Sequence, residues 1–544
     1  MQKIEDRPKL WLGVVISASS VFMSGTSSAG DGVPRERHKH SIQLGEVVQV
    51  EQGDLRGSLI GATYSFQGIP YAAPPLGERR WRPPAPLAPW RGVRDALQFS
   101  DACPQLSNGS VIGNEDCLAL NVWAPPDSPA SGRPVIVWIH QGGNHQGASF
   151  RNPEVDGEYW VEAEGVVFVS IAYRLGALGF FAHPALDAES RRHVSGNYGL
   201  LDQIAALRWI QKNIAAFGGD PQQITVLGES AGADDICVLL TTPLARGLFA
   251  RAIMESSYSG CGAPSLATQE QTTGATLVSR AGCTDAPDVA ACLRALPAEA
   301  IVGALPGQLD LQPRIYSPNV DGFVVPDVPL TLMATTNNAT AGELIIGSNA
   351  QETATRVGTP IPDVDTYEQR IHARYGAALG DQVLDVYPAA AFASPQDAFI
   401  AATTDEIHTC PTRRIAQLVS RQGRVHRFFF THAVENDPTL HAQGAYHTLE
   451  LSFVFRAFSA FPFSEQEVGL ADAIADYWGQ FARTGQPNVP QRVRWPRFDS
   501  RREAFLGLDD TIRAGHDLHA GECDFWDAAP PPYGGGTTQP HAAH

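Results

Sequence analysis

The segment QITVLGESAGADD, residues 223 to 235, passes from a β-rich stretch into a serine flanked by small residues. Gly228-Glu229-Ser230-Ala231-Gly232 fits G-x-S-x-G, in which the glycines permit a strained turn between strand and helix that lifts the serine hydroxyl above the sheet. A serine hydroxyl is a weak nucleophile and needs a base, which in turn needs an orienting acid. After such a turn the partners come later in the chain, acid before histidine. Among sixteen histidines, His447 in GAYHTLELSFVF is the best placed, on a loop between the strand-like VHRFFFTH and an apolar segment. Glu352 in ELIIGSNAQETAT follows another apolar strand, where Gly347 and Asn349 suit a turn, and this favours it over helix-face acids such as Glu406. A serine, a base and an acid so related would carry out acyl transfer.

A second constellation lies in VIVWIHQGGNHQGAS, residues 135 to 149. A buried strand runs into His140, and Gly142 and Gly143 then leave backbone N–H groups free to bind an oxyanion. If position 141 needs positive φ, its glutamine costs about 1–3 kcal/mol or shifts the loop. Asn144 and His145 offer hydrogen bonds, and Gln141 and Asn144 are candidate substrate contacts. His140 and His145 lack both zinc-site spacing and a neighbouring carboxylate, so neither metal nor cofactor is expected. Asp234 and Asp235 read as structural acids near a helix N-terminus.

These residues need a scaffold, and the patterns supply one. Strand-like runs occur at LALNVWA, VIVWIH, VVFVSIAY, QITVLG, ELIIGS and VHRFFFTH. Between them lie helical patterns such as GLLDQIAALRWIQKNIAAF, where Leu200, Ile204, Leu207 and Ile214 recur at helical spacing. Strands separated by helices imply an α/β fold with a large, mainly parallel sheet covered on both faces. Its sites lie at the carboxyl ends of the strands. The stretch SLIGATYSFQGIPYAAPPLG reads as an edge hairpin before a long loop, and residues 256 to 342 as an insertion over the sheet.

Of the 544 residues, 43% are hydrophobic and 18% charged, values of a folded protein with a substantial core. A formal net charge of −18 argues against nucleic-acid partners. Residues 1–30 have the layout of a secretory signal peptide: Lys3, Arg7 and Lys9, an apolar run from Leu10 to Met23, then small residues. That run is too short for a permanent membrane span, and no later segment matches it. A disordered segment 31–44, one domain at 45–526 and a low-complexity tail 527–544 are expected to follow. Eight cysteines suit export to the periplasm or the exterior, and eight can pair in 105 ways.

Beyond these patterns, FGGDPQQITVLGESAG (217–232) and EDCLALNVW (115–123) resemble the two signature segments of the type-B carboxylesterase/lipase family, which includes the cholinesterases. GIPYAAPPLGERRWRPP, SIAYRLGALGF, NVDGFVVPD, GSNAQE, YHTLELSFVF and FARTGQPN agree with it in order, from about residue 45 to 526. The resemblance implies an α/β-hydrolase fold and a Ser-His-Glu triad with Ser230 as nucleophile, Glu352 as acid and His447 as base. It implies an oxyanion hole from the N–H groups of Gly142, Gly143 and Ala231. It also implies disulfides Cys103–Cys117, Cys283–Cys292 and Cys410–Cys523, leaving Cys237 and Cys261 as candidates for a fourth.

Taken together, the expectation is a secreted serine carboxylesterase acting through an acyl-enzyme on small or short-chain esters, with no cofactor. A lipase or feruloyl-type esterase of the same family is the runner-up. A cholinesterase-like binding protein without catalysis is the reading from another class, disfavoured because all three triad candidates are present. The loop between Cys103 and Cys117 has no tryptophan, where cholinesterases place the aromatic that binds quaternary ammonium, so a choline-ester specialist is not expected.

Overall fold

In the strand Arg133–Ile139, Val135, Val137 and Ile139 enter one hydrophobic core while Ile136 and Trp138 enter another. The same split recurs in Glu343–Asn349, where Leu344 and Ile346 face the first core and Ile345 the second. Period-two side chains buried on both sides make a sheet that must be covered twice. In the computed structural model of the chain, helices Tyr198–Asn213 and Ala231–Thr241 supply residues to the first core. Helices Gly157–Glu164 and Glu465–Thr484 supply the second. The described residues are 43–530 apart from 151–154, 156, 259–260, 312–313, 336–341 and 458. The expected leader 1–30 and Asn338, one of two N-x-[ST] sequons, therefore lie outside them; the other, Asn108, is exposed.

Among the described residues the large sheet has thirteen strands, one of which, Val93–Asp95, lies off the main order and pairs with Gly53–Ile60. Seven run parallel in the order Val167–Ile171, Arg133–Ile139, Gly219–Glu229, Arg251–Glu255, Glu343–Asn349, Arg424–Phe430 and Phe505–Leu508. Antiparallel strands flank them: Ala119–Ala124, Thr63–Pro70, Gly53–Ile60 and Gln43–Val50 on one side, Arg513–Gly515 on the other. All six expected strand runs are present, and the edge hairpin turns at Gly61 between Ile60 and Thr63. Arg251–Glu255 and Phe505–Leu508 were not expected; each is short, five and four residues, with little alternation to mark it.

The insertion after Ser256 holds short helices, including Ala275–Arg280 and Val289–Ala295. A third core lies beneath the helix Val364–Val386, around Tyr367, Ile371, Phe399 and Trp526. The helix Ala520–Ala528 continues past residue 527 because Asp527 accepts from Arg414 at 2.6 Å, and Ala529 is buried. No helix among the described residues is long and apolar enough to cross a membrane.

All eight cysteines pair: Cys103–Cys117, Cys237–Cys261, Cys283–Cys292 and Cys410–Cys523. The last closes the longest loop, 113 residues in sequence, and ties the C-terminal helix to the helix Cys410–Ser420. Loop-closure entropy makes a cross-link of that span worth about 2–5 kcal/mol. Replacing both Cys410 and Cys523 with serine is therefore expected to lower the thermal midpoint by several degrees. A midpoint unchanged within a degree in a calorimetric scan would contradict this role.

Candidate active site

The strand Gly219–Glu229 ends at Ser230, which takes φ 53° and ψ −116° before the helix Ala231–Thr241 begins. A side chain there in the left-handed half of backbone space is costly and persists only where the surroundings enforce it. The enforcement is steric. A Cβ on Gly232 would sit 2.1 Å from the Ile139 carbonyl oxygen, and one on Gly228 would sit 2.7 Å from the Gly232 carbonyl carbon. Ser230 N–H donates to the Glu255 carbonyl at 2.9 Å on the neighbouring strand. The G-x-S-x-G spacing thus lets strand, turn and helix approach to backbone contact.

Glu352 and His447 come from the next strand loops. Glu352 lies three residues beyond Glu343–Asn349, and its Oε1 accepts from the Asn349 N–H at 2.8 Å. His447 follows Arg424–Phe430 on a loop pinned to the glutamate's loop. Gln351 N–H donates to the Ala445 carbonyl at 3.0 Å, and Ala445 N–H donates back to the Gln351 side chain at 2.8 Å. This double tie brings His447 Nδ1 to 2.6 Å from Glu352 Oε2, with Glu352 fully buried and His447 nearly so. Burial, then the positive charges of Arg356 and Arg314, hold the His447 pKa well below the ordinary histidine value. The imidazole is therefore neutral near pH 7, with Nδ1–H on the acid and the Nε2 lone pair available to take a proton.

Nε2 lies 3.1 Å from Glu229 Oε1, close enough for an ion pair but not aligned as a hydrogen bond. Glu229 is fully buried, and burial, then Glu450 and Glu352, push its pKa well up. Two more acids behave alike. Glu255 is driven up to about 8 by burial, and Glu450 is driven well up by burial and then by Glu352 and Glu255. Glu450 accepts from Ser256 Oγ at 3.1 Å and from Asn349, and Glu255 accepts from Trp478 at 2.7 Å. Glu229, Glu255 and Glu450 thus stay predominantly neutral at pH 7, which lets Glu352 face the imidazole without a cluster of like charge.

In the loop after Arg133–Ile139, Gly142, Gly143 and Gly147 have φ of 108°, 63° and 113°. Asn144 has φ 61°, whereas Gln141 is not among the positive-φ residues. Glutamine at 141 is therefore not strained, and the strain expected there falls on Asn144 instead. No backbone hydrogen bond from the Gly142 or Gly143 N–H occurs among the described residues. Ala231 opens its helix, so its N–H has no carbonyl four residues back. The loop is held from outside: Gln105 exchanges two hydrogen bonds with the Gly147 backbone, at 2.7 and 2.8 Å, linking it to the Cys103–Cys117 loop.

Asn144 is buried, and its amide donates to Asp235 at 3.1 Å while Tyr173 OH donates to its Oδ1 at 3.3 Å. The first bond joins the loop to the helix that follows Ser230, the second to the segment after Val167–Ile171, and together they commit the side chain within the protein. Asp235 also accepts from Gln203 at 2.6 Å, and burial raises its pKa to about 7. His140 Nδ1 lies 2.8 Å from the Gln141 carbonyl and His145 Nδ1 lies 3.1 Å from the Gly143 carbonyl, both occupied with loop backbone. Ligand-type atoms of Glu352, His408 and His447 fall within 4.8 Å of one another. There His408 Nδ1 faces the Ser256 and Ser257 carbonyls at 3.1 Å, and Glu352 bonds His447.

Residues that no sequence pattern singled out complete the site. Arg314, in the insertion, donates to Asp234 and to Ser230 Oγ, the latter at 3.1 Å, and lies over the Tyr258 ring. Asp234 also accepts from Ser257 Oγ at 2.6 Å and Tyr258 N–H at 2.9 Å, and burial lifts its pKa to about 6. A cavity of about 710 Å³ opens here, lined by Asn144, Asp234, Tyr258 and Arg314 with apolar residues such as Val238 and Phe399.

A model of the family described as carboxylesterase matches residues 45–526. Over 522 residues the chain is 34% identical to a cocaine esterase of Oryctolagus cuniculus, covering 87% of this chain and 94% of that one. It is 35% identical over 519 residues to a fumonisin B1 esterase of Sphingopyxis macrogoltabida, covering 91% and 92%. A solved PNB esterase structure superposes with a TM-score of 0.76 at 31% identity, covering 88% of this chain and 99% of that one. The α/β-hydrolase architecture follows from both the sheet and this superposition.

Because His447 is held neutral, ester hydrolysis that uses it as base keeps its acid limb below pH 6.5. As pH falls through the lowered pKa, the imidazole gains a proton and kcat/KM declines. An acid-limb midpoint at or above 6.5 in the kcat/KM profile would contradict this.

Proposed function

The chain belongs to the carboxylesterase family and is a carboxylic ester hydrolase; from that premise we propose a secreted serine carboxylesterase that cleaves small or short-chain esters through an acyl-enzyme. One observation carries the mechanism: the buried 2.6 Å pair of Glu352 and His447, presented from the ends of parallel strands two and three places along the sheet from the one that ends at Ser230. In this proposal His447 Nε2 takes the Ser230 proton as Oγ attacks the ester carbonyl, and Glu352 stabilises the imidazolium that forms. The proton then passes to the leaving alcohol. Water, deprotonated by His447, releases the acid and frees Ser230.

Ser230 Oγ accepts from Arg314 and His447 Nε2 faces Glu229, so the imidazole must turn from Glu229 toward Ser230 to join base and nucleophile. Catalytic hydrogen bonds often tighten only when substrate is bound. Gly142, Gly143 and Ala231 are proposed as the oxyanion donors, each worth on the order of 10²–10³ in rate. Gln141, half-buried on the same loop, is proposed as a substrate contact, whereas the Asn144 side chain is already bonded to Asp235 and Tyr173.

The cavity volume falls in the range of small-molecule sites and supports a small substrate. The named relatives are esterases, which leaves a non-catalytic binding role without support. Four disulfides support an oxidising compartment and hence export. Rates on 4-nitrophenyl esters from acetate to laurate are expected to peak at short acyl chains; a laurate optimum would favour a lipase. Ser230→Ala is expected to lower kcat by at least about 10³-fold with little change in thermal midpoint. Retention of a tenth of the wild-type rate would overturn the role of Ser230.

A further inference from the structure

The protein as a whole carries an excess of acids, with a formal net charge of −18, yet its substrate cavity concentrates arginines. Arg314, Arg370 and Arg374 line it, against the acids Asp234 and Glu406. Arg374 is matched by Glu406, with contacts at 2.9 and 3.0 Å. Arg370 has no acidic partner among the described residues: its guanidinium donates to the Val357 and Thr359 carbonyls at 2.7 and 3.2 Å and lies over the Phe399 ring. Arg356, half-buried in the turn just after Glu352, also has none among the described residues. It ends the short helix Ala354–Arg356 that follows Glu352, and its charge interacts with Arg314, Glu352, Glu229 and Tyr258.

Uncompensated guanidinium groups in a partly dry site are expensive unless a ligand anion joins them. Burial and then Arg314 push the Arg356 pKa below the usual guanidinium range, so each of the two cations is raised in energy by the other. Arg314 keeps donors to spare. One Nη serves Asp234 and the other Ser230 Oγ, leaving N–H groups of its planar fork for a carboxylate. Because the same fork touches the nucleophile, an anion held there lies within a few atoms of the carbonyl under attack.

We propose that the preferred substrate is an ester bearing a free carboxylate near the scissile bond, held by Arg314 and Arg356 beside Ser230, with Arg370 available to a second acidic group farther along the cavity. This rests on the serine-esterase reading above. The net reaction is unchanged: water cleaves the acyl C–O bond, giving a carboxylic acid and an alcohol.

The test is a comparison of matched esters in a pH-stat. On the acyl side, monoethyl glutarate is set against ethyl pentanoate; on the alcohol side, 3-acetoxypropanoate is set against propyl acetate. Charged hydrogen bonds are worth enough that kcat/KM for at least one carboxylate ester should exceed its neutral partner by about tenfold or more. That preference should shrink as salt is added. Whichever pair shows the preference assigns the side of the ester on which the anion sits. Arg356→Met is expected to cut the charged-to-neutral ratio by about tenfold, and Arg356→Lys to restore part of it. If wild type cleaves the neutral esters as well as or better than both charged ones, the inference is overturned while the esterase reading stands. If it cleaves none of the four, the esterase reading falls and this inference with it.

Discussion

A serine held at φ 53° between a parallel strand and a helix is the constraint on which the site depends. The conformation costs about 1–3 kcal/mol and survives because no side chain intervenes where Gly228, Gly232 and the Ile139 carbonyl meet. The same contact fixes the distance between the helix that follows Ser230 and the glycine loop that follows Ile139. Asn144 completes that junction by bonding Asp235, so turn and loop are one rigid object. The remaining partners need only arrive at the same edge, and parallel strands deliver them there.

Electrostatics then decides what the edge can do. Five acids, Glu229, Glu255, Glu352, Glu450 and Asp234, are buried within or beside the site. In a low-dielectric surrounding they cannot all ionise, and burial drives Glu229, Glu255 and Glu450 toward their neutral forms. Glu352 is left to orient His447, and Asp234 to hold Arg314. Burial, and after it the charges of Arg356 and Arg314, depress the imidazole's affinity for protons, which keeps it neutral in the free protein.

Much of the scaffold was legible beforehand because it obeys local rules. Apolar runs bounded by turn residues marked six strands, and helical spacing marked Tyr198–Asn213. Short elements escaped notice: Arg251–Glu255 has too few residues for a pattern, although its backbone carbonyl at Glu255 anchors Ser230. Gln141 looked like a backbone problem from its neighbours' composition. The positive φ values fall instead on Gly142, Gly143 and Asn144, one place further along.

By itself the sequence determined the turn at Ser230, the strand ends that carry Glu352 and His447, and the paired glycines of the loop, because each is written in a short contiguous pattern of size and polarity. Tertiary structure alone decided that Arg314, from an insertion with weak patterns, reaches Ser230 Oγ. It alone set Glu229 against His447 and left Arg356 and Arg370 without acids among the described residues. Those outcomes depend on which long side chains meet across separated segments and how far water is excluded from them. No local spacing encodes either.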